Sequence, residues 1–160
     1  MEFPLSTHQE RLWFIDHFER GQVYPDAPVY HNLPLVLAGK GSLGTSSAHG
    51  ALQKVVARHD VLRTCLIEKG AETTTRIADT LEVIWVETTL PASTTALGVL
   101  DHLIAANAQP FALNAEPLLR AEFVRIGKDK EKRFWWLITL HHLIADRTSL
   151  HLLTAELAHE

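Results

Sequence analysis

The chain has 160 residues, 46% of them apolar and 21% charged, a size and mix that specify one soluble domain with a real hydrophobic core. Fifteen Lys and Arg against nineteen Asp and Glu give a formal charge of −4, which disfavours a generally basic nucleic-acid binder. A single cysteine, Cys65, excludes an intrachain disulfide framework and a Cys-based zinc site.

No apolar run is long enough to span a bilayer, and the opening MEFPLSTHQERLWF lacks a basic region followed by a pure apolar stretch. The expected setting is therefore the cytoplasm, with no membrane and no nucleic acid among the partners.

The first predicted helix covers about His8 to Phe18, with Leu12, Trp13, Ile15 and Phe18 apolar. Ser6 or Thr7 serves as its cap, and Glu10 lies three residues beyond Thr7, as a capping box requires. Val29 to Leu37 reads as a strand, placed at an edge or a bulge by Pro34. KGSLGTSS, from Lys40 to Ser47, reads as a loop, and a second helix follows from about Ser47 to Arg58.

Arg63 to Glu68 and Thr74 to Ala78 form a predicted hairpin around GAETTT, and Val83 to Thr88 is rich in β-formers. A third helix covers Thr95 to Asn107. Leu118 to Ile126 and Phe134 to Leu140 read as strands joined by the turn GKDKEK, and Thr148 to His159 closes the chain as a fourth helix. FWWLITL is continuously apolar, so it should be a central strand covered on both faces. Alternating strands and helices give an α/β fold with a mixed β-sheet packed with helices.

Chemistry concentrates in FWWLITLHHLIADRTSL. Ionisable residues at the end of a central strand stand where α/β folds place their sites. Adjacent strand side chains face opposite ways, so His141 and His142 should not share a metal: one faces inward, the other the opening. Asp146 is close enough for a tight turn to return its carboxylate toward the strand end. Spacing alone leaves a second reading equally open, a core histidine followed by a helix-start aspartate. Arg63, in ARHDVLRTCL, is either solvated at a strand edge, the reading that local spacing favours, or paired with a buried carboxylate, for which Asp146 is one candidate.

Other chemistries find little support. The ten histidines show no HExxH spacing. There is no GxSxG nucleophile elbow and no P-loop, and the four tryptophans sit in strands or a helix, where core packing explains them.

Five segments together resemble condensation domains of nonribosomal peptide synthetases. HHLIAD resembles their HHxxxDG motif and RHDVLRT their RHExLRT. LSTHQERLWF resembles SxAQxRLWxL, PFALNAEPLLRAEF resembles PFDLxxxPLLRAxL, and VYHNLPLVLAGKGSL is similar to YNxPxxxxLxGxL. Order and spacing fit from Leu5 to Leu157.

The resemblance implies a chloramphenicol-acetyltransferase-like lobe, the N-terminal half of a two-lobed condensation domain, as one domain over residues 1–160. It implies a tunnel between lobes, with His142 facing it to orient or deprotonate an acceptor amine or to stabilise the tetrahedral intermediate. His141, Asp146 and Arg63 would support the site, the last two as an ion pair. No cofactor would be bound by the lobe itself. Substrates would arrive on the phosphopantetheine arms of carrier proteins, and the partners would be those carriers, a C-terminal lobe and neighbouring synthetase modules.

Three departures stand out. Arg147 replaces the motif glycine and, with Ser149, is a possible tunnel or substrate contact. His8 stands where a small residue is usual and reads as a surface change. The family's later motifs are missing from the sequence, so the isolated chain is expected to be inactive and to expose an apolar lobe interface. A related thioester-dependent acyltransferase lobe and a non-catalytic docking or scaffold module are the alternatives.

Overall fold

A computed structural model describes residues 2–70, 72–114 and 117–160. Its elements run β1 (Glu2–Pro4), α1 (Thr7–Glu19), β2 (Asn32–Lys40), α2 (Thr45–Arg58), a single 3-10 turn (Asp60–Arg63), β3 (Thr64–Lys69), β4 (Glu72–Ile77), β5 (Ile84–Leu90), α3 (Ala96–Asn107), β6 (Leu119–Ile126), β7 (Arg133–His141) and α4 (Arg147–Leu157). All four expected helices form. β2 starts three residues later than expected, and the strand expected at Arg63 starts at Thr64, because Asp60–Arg63 winds into the 3-10 turn. Ala71 of the β3–β4 turn, and Ala115 and Glu116 of the PFALNAEPLLRAEF motif, lie outside the described residues.

Four strands form a mixed sheet in the order β2-β7-β6-β5, with β5 parallel to β6 and the other pairings antiparallel. β2 is therefore an edge strand, where Pro34 leaves no ladder donor missing on a second side. A second sheet, β1-β4-β3, carries the expected hairpin and a short N-terminal strand, three residues long and without a periodic pattern to announce it.

β7 is central, and its continuous apolar run has two destinations. Trp136, Ile138 and Leu140 join Leu52, Val55, Val56 of α2 and Leu153 of α4 in the main core. Leu137 and Trp135 belong to a second cluster with Val99 and Leu103 of α3 and with Val124. Each such side chain contributes roughly 1.5–3 kcal/mol when fully buried. α3 covers the sheet with one side only: Leu97, Leu100 and Ile104 remain exposed. No helix among the described residues is long and apolar enough to cross a membrane.

Candidate active site

β7 carries the histidine pair to the end of the sheet and is held there from both sides. The His141 N–H donates to the Leu118 carbonyl (2.9 Å) and the His142 N–H to the His31 carbonyl (2.9 Å). Being central in the sheet, the strand end cannot fray, so both rings start from a fixed backbone. The chain then turns through Leu143–Ala145, with the Ile144 N–H on the His141 carbonyl (3.0 Å), and enters α4 at Asp146.

The two imidazoles have opposite environments. His141 is only 1% exposed. Its ring lies against Phe111 (5.8 Å between centroids) and His31 (5.5 Å). Burial pushes its pKa down to about 3, with further lowering from His31, His142, Arg20 and Arg120. The ring is therefore neutral at pH 7, and the 3.9 Å approach of its Nε2 to Asp16 Oδ2 is neither an ion pair nor a hydrogen bond.

His142 is half-buried, and its Nδ1 lies 2.7 Å from the Ala145 carbonyl oxygen. A carbonyl only accepts, so Nδ1 carries the hydrogen and, in the neutral ring, Nε2 offers a lone pair. The turn thus selects the tautomer that accepts protons at Nε2.

Asp16 on α1, His31 and His141 form a buried group whose donor atoms all lie within 4.8 Å of one another. Sequence spacing hid it, since its members come from three distant segments. Asp16 Oδ1 is held by Arg20 (2.9 Å), yet burial still raises the Asp16 carboxyl above its ordinary pKa. Burial lowers His31 in the same way.

The trio looks like a two-histidine, one-carboxylate metal site, but its hydrogen bonding opposes that. The Leu143 N–H donates to His141 Nδ1 (3.2 Å). The neutral ring then carries its hydrogen on Nε2, the atom facing Asp16, and has no lone pair there to give a cation. His141 Nε2 is buried without a hydrogen-bond partner, 3.9 Å from Asp16 Oδ2.

The expected Arg63–Asp146 ion pair is not formed. Arg63 spends its guanidinium on Asp60, three residues back, and on the carbonyls of Ala78 and Asp79. The 3-10 turn at Asp60–Arg63 brings that nearer carboxylate within reach and leaves Arg63 Nε buried without a partner. Asp146 is exposed rather than buried. It caps α4: its Oδ1 accepts from the Ser149 N–H (2.8 Å) and hydroxyl (2.7 Å), while the Asp146 N–H donates to Ser149 Oγ (3.2 Å). The Ser149 bonds hold the Asp146 carboxyl below its ordinary pKa.

Ser149 is thus committed to the cap, and Arg147 is exposed in the first turn of α4. The bland reading of Asp146, a helix-start residue, is the one realised. Asp146→Ala should lower the melting temperature by about 2–4 °C, as expected for a lost N-cap in a chain of this size. Asp146→Asn, also a good cap, should melt within a degree or so of the parent in the same thermal scan. A much larger loss for both would mean that Asp146 holds a buried partner after all.

Two further residues reach the site from α1. The cap of that helix is Ser6 with Gln9, not Thr7 with Glu10 as the spacing had offered. Gln9 Nε2 donates to the Leu143 carbonyl (3.1 Å), just after His142. His8, expected to be a mere surface change, has its ring 5.7 Å from that of His142 at an interplanar angle of 72°.

The site thus combines a mixed sheet ending in a tautomer-selected histidine, a buried companion histidine and a capped helix. The family model described as Condensation domain matches residues 1–160. The chain belongs to the condensation-domain family.

Among its relatives, phosphinothricin tripeptide synthetase PhsC of Streptomyces viridochromogenes is 35% identical over 157 residues, covering 96% of this chain and 14% of that protein. Surfactin synthase subunit 2 of Bacillus subtilis is 32% identical over 156 residues, covering 98% of this chain and 4% of that protein. The starter condensation domain of the rhizomide synthetase RzmA, in a mutant form, superposes with a TM-score of 0.82 at 22% identity, over 99% of this chain and 36% of that one. The X-domain in complex with OxyB from teicoplanin biosynthesis gives 0.80 at 25% identity, over 98% and 32%. The chain spans about a third of those structures and a small fraction of the length of the synthetases.

Proposed function

We propose that residues 1–160 are the N-terminal lobe of a condensation domain that joins an acyl or peptidyl thioester to an aminoacyl acceptor in nonribosomal peptide biosynthesis, with His142 as its active-site base. The observation that carries this reading is the Nδ1 contact to the Ala145 carbonyl, which leaves Nε2 as an acceptor at the end of a rigid strand. The acceptor nitrogen attacks the thioester carbonyl carbon and gives up a proton to Nε2. The tetrahedral intermediate then collapses, the C–S bond breaks, and the proton passes to the departing thiol.

Both substrates come on phosphopantetheine arms of carrier proteins, and the lobe itself binds no cofactor. The C-terminal lobe and neighbouring modules are the further partners, in the cytoplasm. One lobe forms only one wall of the tunnel and cannot hold both arms or exclude water, so the isolated chain is inactive.

The test is product formation by the two-lobed domain carrying this sequence, supplied with acyl and aminoacyl carrier proteins. His142→Ala should remove amide product. Undiminished product would overturn the assignment.

A second reading, a docking module that keeps the fold without turnover, draws support from the likeness to the X-domain in its complex with OxyB and from Arg147 in place of the motif glycine. On that reading the two-lobed domain makes no amide with any carrier pair and its binding to a partner protein is insensitive to His142→Ala. A related acyltransferase would instead form an ester or a different amide from the same thioester.

A further inference from the structure

We infer that His8 is a positioning residue for His142, fixing the plane of that imidazole through an edge-to-face ring contact. The inference rests on the reading of His142 as the active-site base. Its foundation is the way the first turn of α1 is bolted to the turn after β7. Ser6 caps the helix by accepting from the Gln9 N–H (3.3 Å), and Gln9 Oε1 accepts in return from the Ser6 N–H (3.0 Å). That reciprocal bond orients the Gln9 amide, whose Nε2 then donates to the Leu143 carbonyl (3.1 Å) across 134 residues of sequence. One side chain closes the cap and ties the helix end to the residue after His142.

His8 sits between Ser6 and Gln9 on this clamped turn, so its ring has a defined place: 5.7 Å from His142 at 72°. His8 is exposed and makes no hydrogen bond or ion pair among the described residues, so no competing partner draws it away.

The contact answers a specific need. His142 is tied at one ring atom, Nδ1, by the Ala145 carbonyl. A single bond at one corner leaves the ring free to rock, and a half-turn about χ2 would exchange Nδ1 for a carbon and abandon the tautomer that exposes a lone pair at Nε2. A second ring set edge-to-face opposes that turn, and aromatic pairs of this geometry hold their arrangement with a measurable preference. The small residue usual at this place in the motif has no ring to offer. This chain would therefore hold its base more tightly than a relative with alanine there.

The experiment uses two variants, His8→Ala, which removes the ring, and His8→Phe, which keeps the ring and removes its nitrogens. In the 160-residue chain, imidazole ¹⁵N spectra of His142 report the tautomer directly, with no partner lobe needed. The parent and His8→Phe should show one Nδ1–H form. His8→Ala should show signals averaged between tautomers, with its melting temperature unchanged, since His8 is on the surface.

In the two-lobed domain, His8→Ala should lower kcat roughly three- to tenfold with little change in the KM for either carrier, and His8→Phe should restore most of it. Unchanged His142 signals in His8→Ala would overturn the inference. So would a His8→Phe variant as impaired as His8→Ala, because the nitrogen and not the ring contact would then matter. Should His142→Ala remain active, the functional reading fails, while the ring contact is still decided by the nitrogen spectra alone.

Discussion

Amide formation by the two-lobed domain should fall about 10²–10⁴-fold on His142→Ala, the range for loss of a positioned general base. The geometry explains why the loss belongs to chemistry and not to folding. His142 is half-buried, beyond the last residue of β7, and its ring makes one hydrogen bond, to a carbonyl in its own turn. The main-chain bond to the His31 carbonyl survives any substitution, so the strand end stays where it is. The melting temperature should shift by no more than a few degrees.

His142→Gln makes the control sharper. An amide of similar reach can accept a hydrogen bond from the acceptor amine but cannot take up its proton. If Gln recovers most of the rate, His142 orients the amine; if Gln is as poor as Ala, proton transfer is the larger part. Rates within twofold of the parent for both variants would leave the lobe without a catalytic histidine.

Acid should weaken the fold well before its carboxylates are titrated. His141 has a folded pKa of about 3 against an ordinary 6.5. Between those values the unfolded chain binds the proton that the folded chain refuses, so stability is full above about pH 6.5 and is lost as pH falls through that window. The loss by pH 5 is on the order of 2 kcal/mol from this one ring.

His31, also lowered by burial, acts in the same direction. Asp16 opposes them at the lower end: its raised pKa lets the folded state take up a proton before the unfolded state does. Urea midpoints between pH 7 and pH 5 would show the slope. His141→Asn should reduce it to the part that His31 carries, since the amide oxygen can still accept from the Leu143 N–H but does not titrate. A midpoint that does not move between pH 7 and pH 5 in the parent chain would refute the burial of a neutral ring.

Much of the scaffold was legible because it depends on local pattern. FWWLITL announces a strand covered on both faces, and β7 is that strand, divided between the α2/α4 core and the α3 cluster. Pro34 announces an edge, and β2 is an edge. The contrast expected between His141 and His142 is present as burial: His141 closes β7 with its ring buried, and His142, the first residue of the turn, is half-buried.

The partners of the polar groups were not legible. Arg63 and Asp146 looked like a pair because both belong to motifs of one family. Each instead met a nearer partner: Asp60 through a 3-10 turn, and Ser149 through a helix cap. Short sequence separation lowers the cost of closing a contact, and periodicity does not reveal which carboxylate a flexible guanidinium will choose. The cap of α1 shows the same thing at smaller scale. Ser6–Gln9 and Thr7–Glu10 satisfy the same spacing rule, and the tie from Gln9 to the Leu143 carbonyl belongs to the first of them.

By itself the amino-acid sequence determined the alternation of helices and strands, the central strand that ends in two histidines, and the kinship that five ordered motifs carry, because all of these are written in residues close together along the chain. Only the tertiary structure decided that Asp16, His31 and His141 share one buried space, that the Ala145 carbonyl selects the His142 tautomer, and that His8 lies against the ring. Those facts join segments separated by up to about 130 positions, and their hydrogen bonds are chosen by burial and by which donors the packed core leaves within reach.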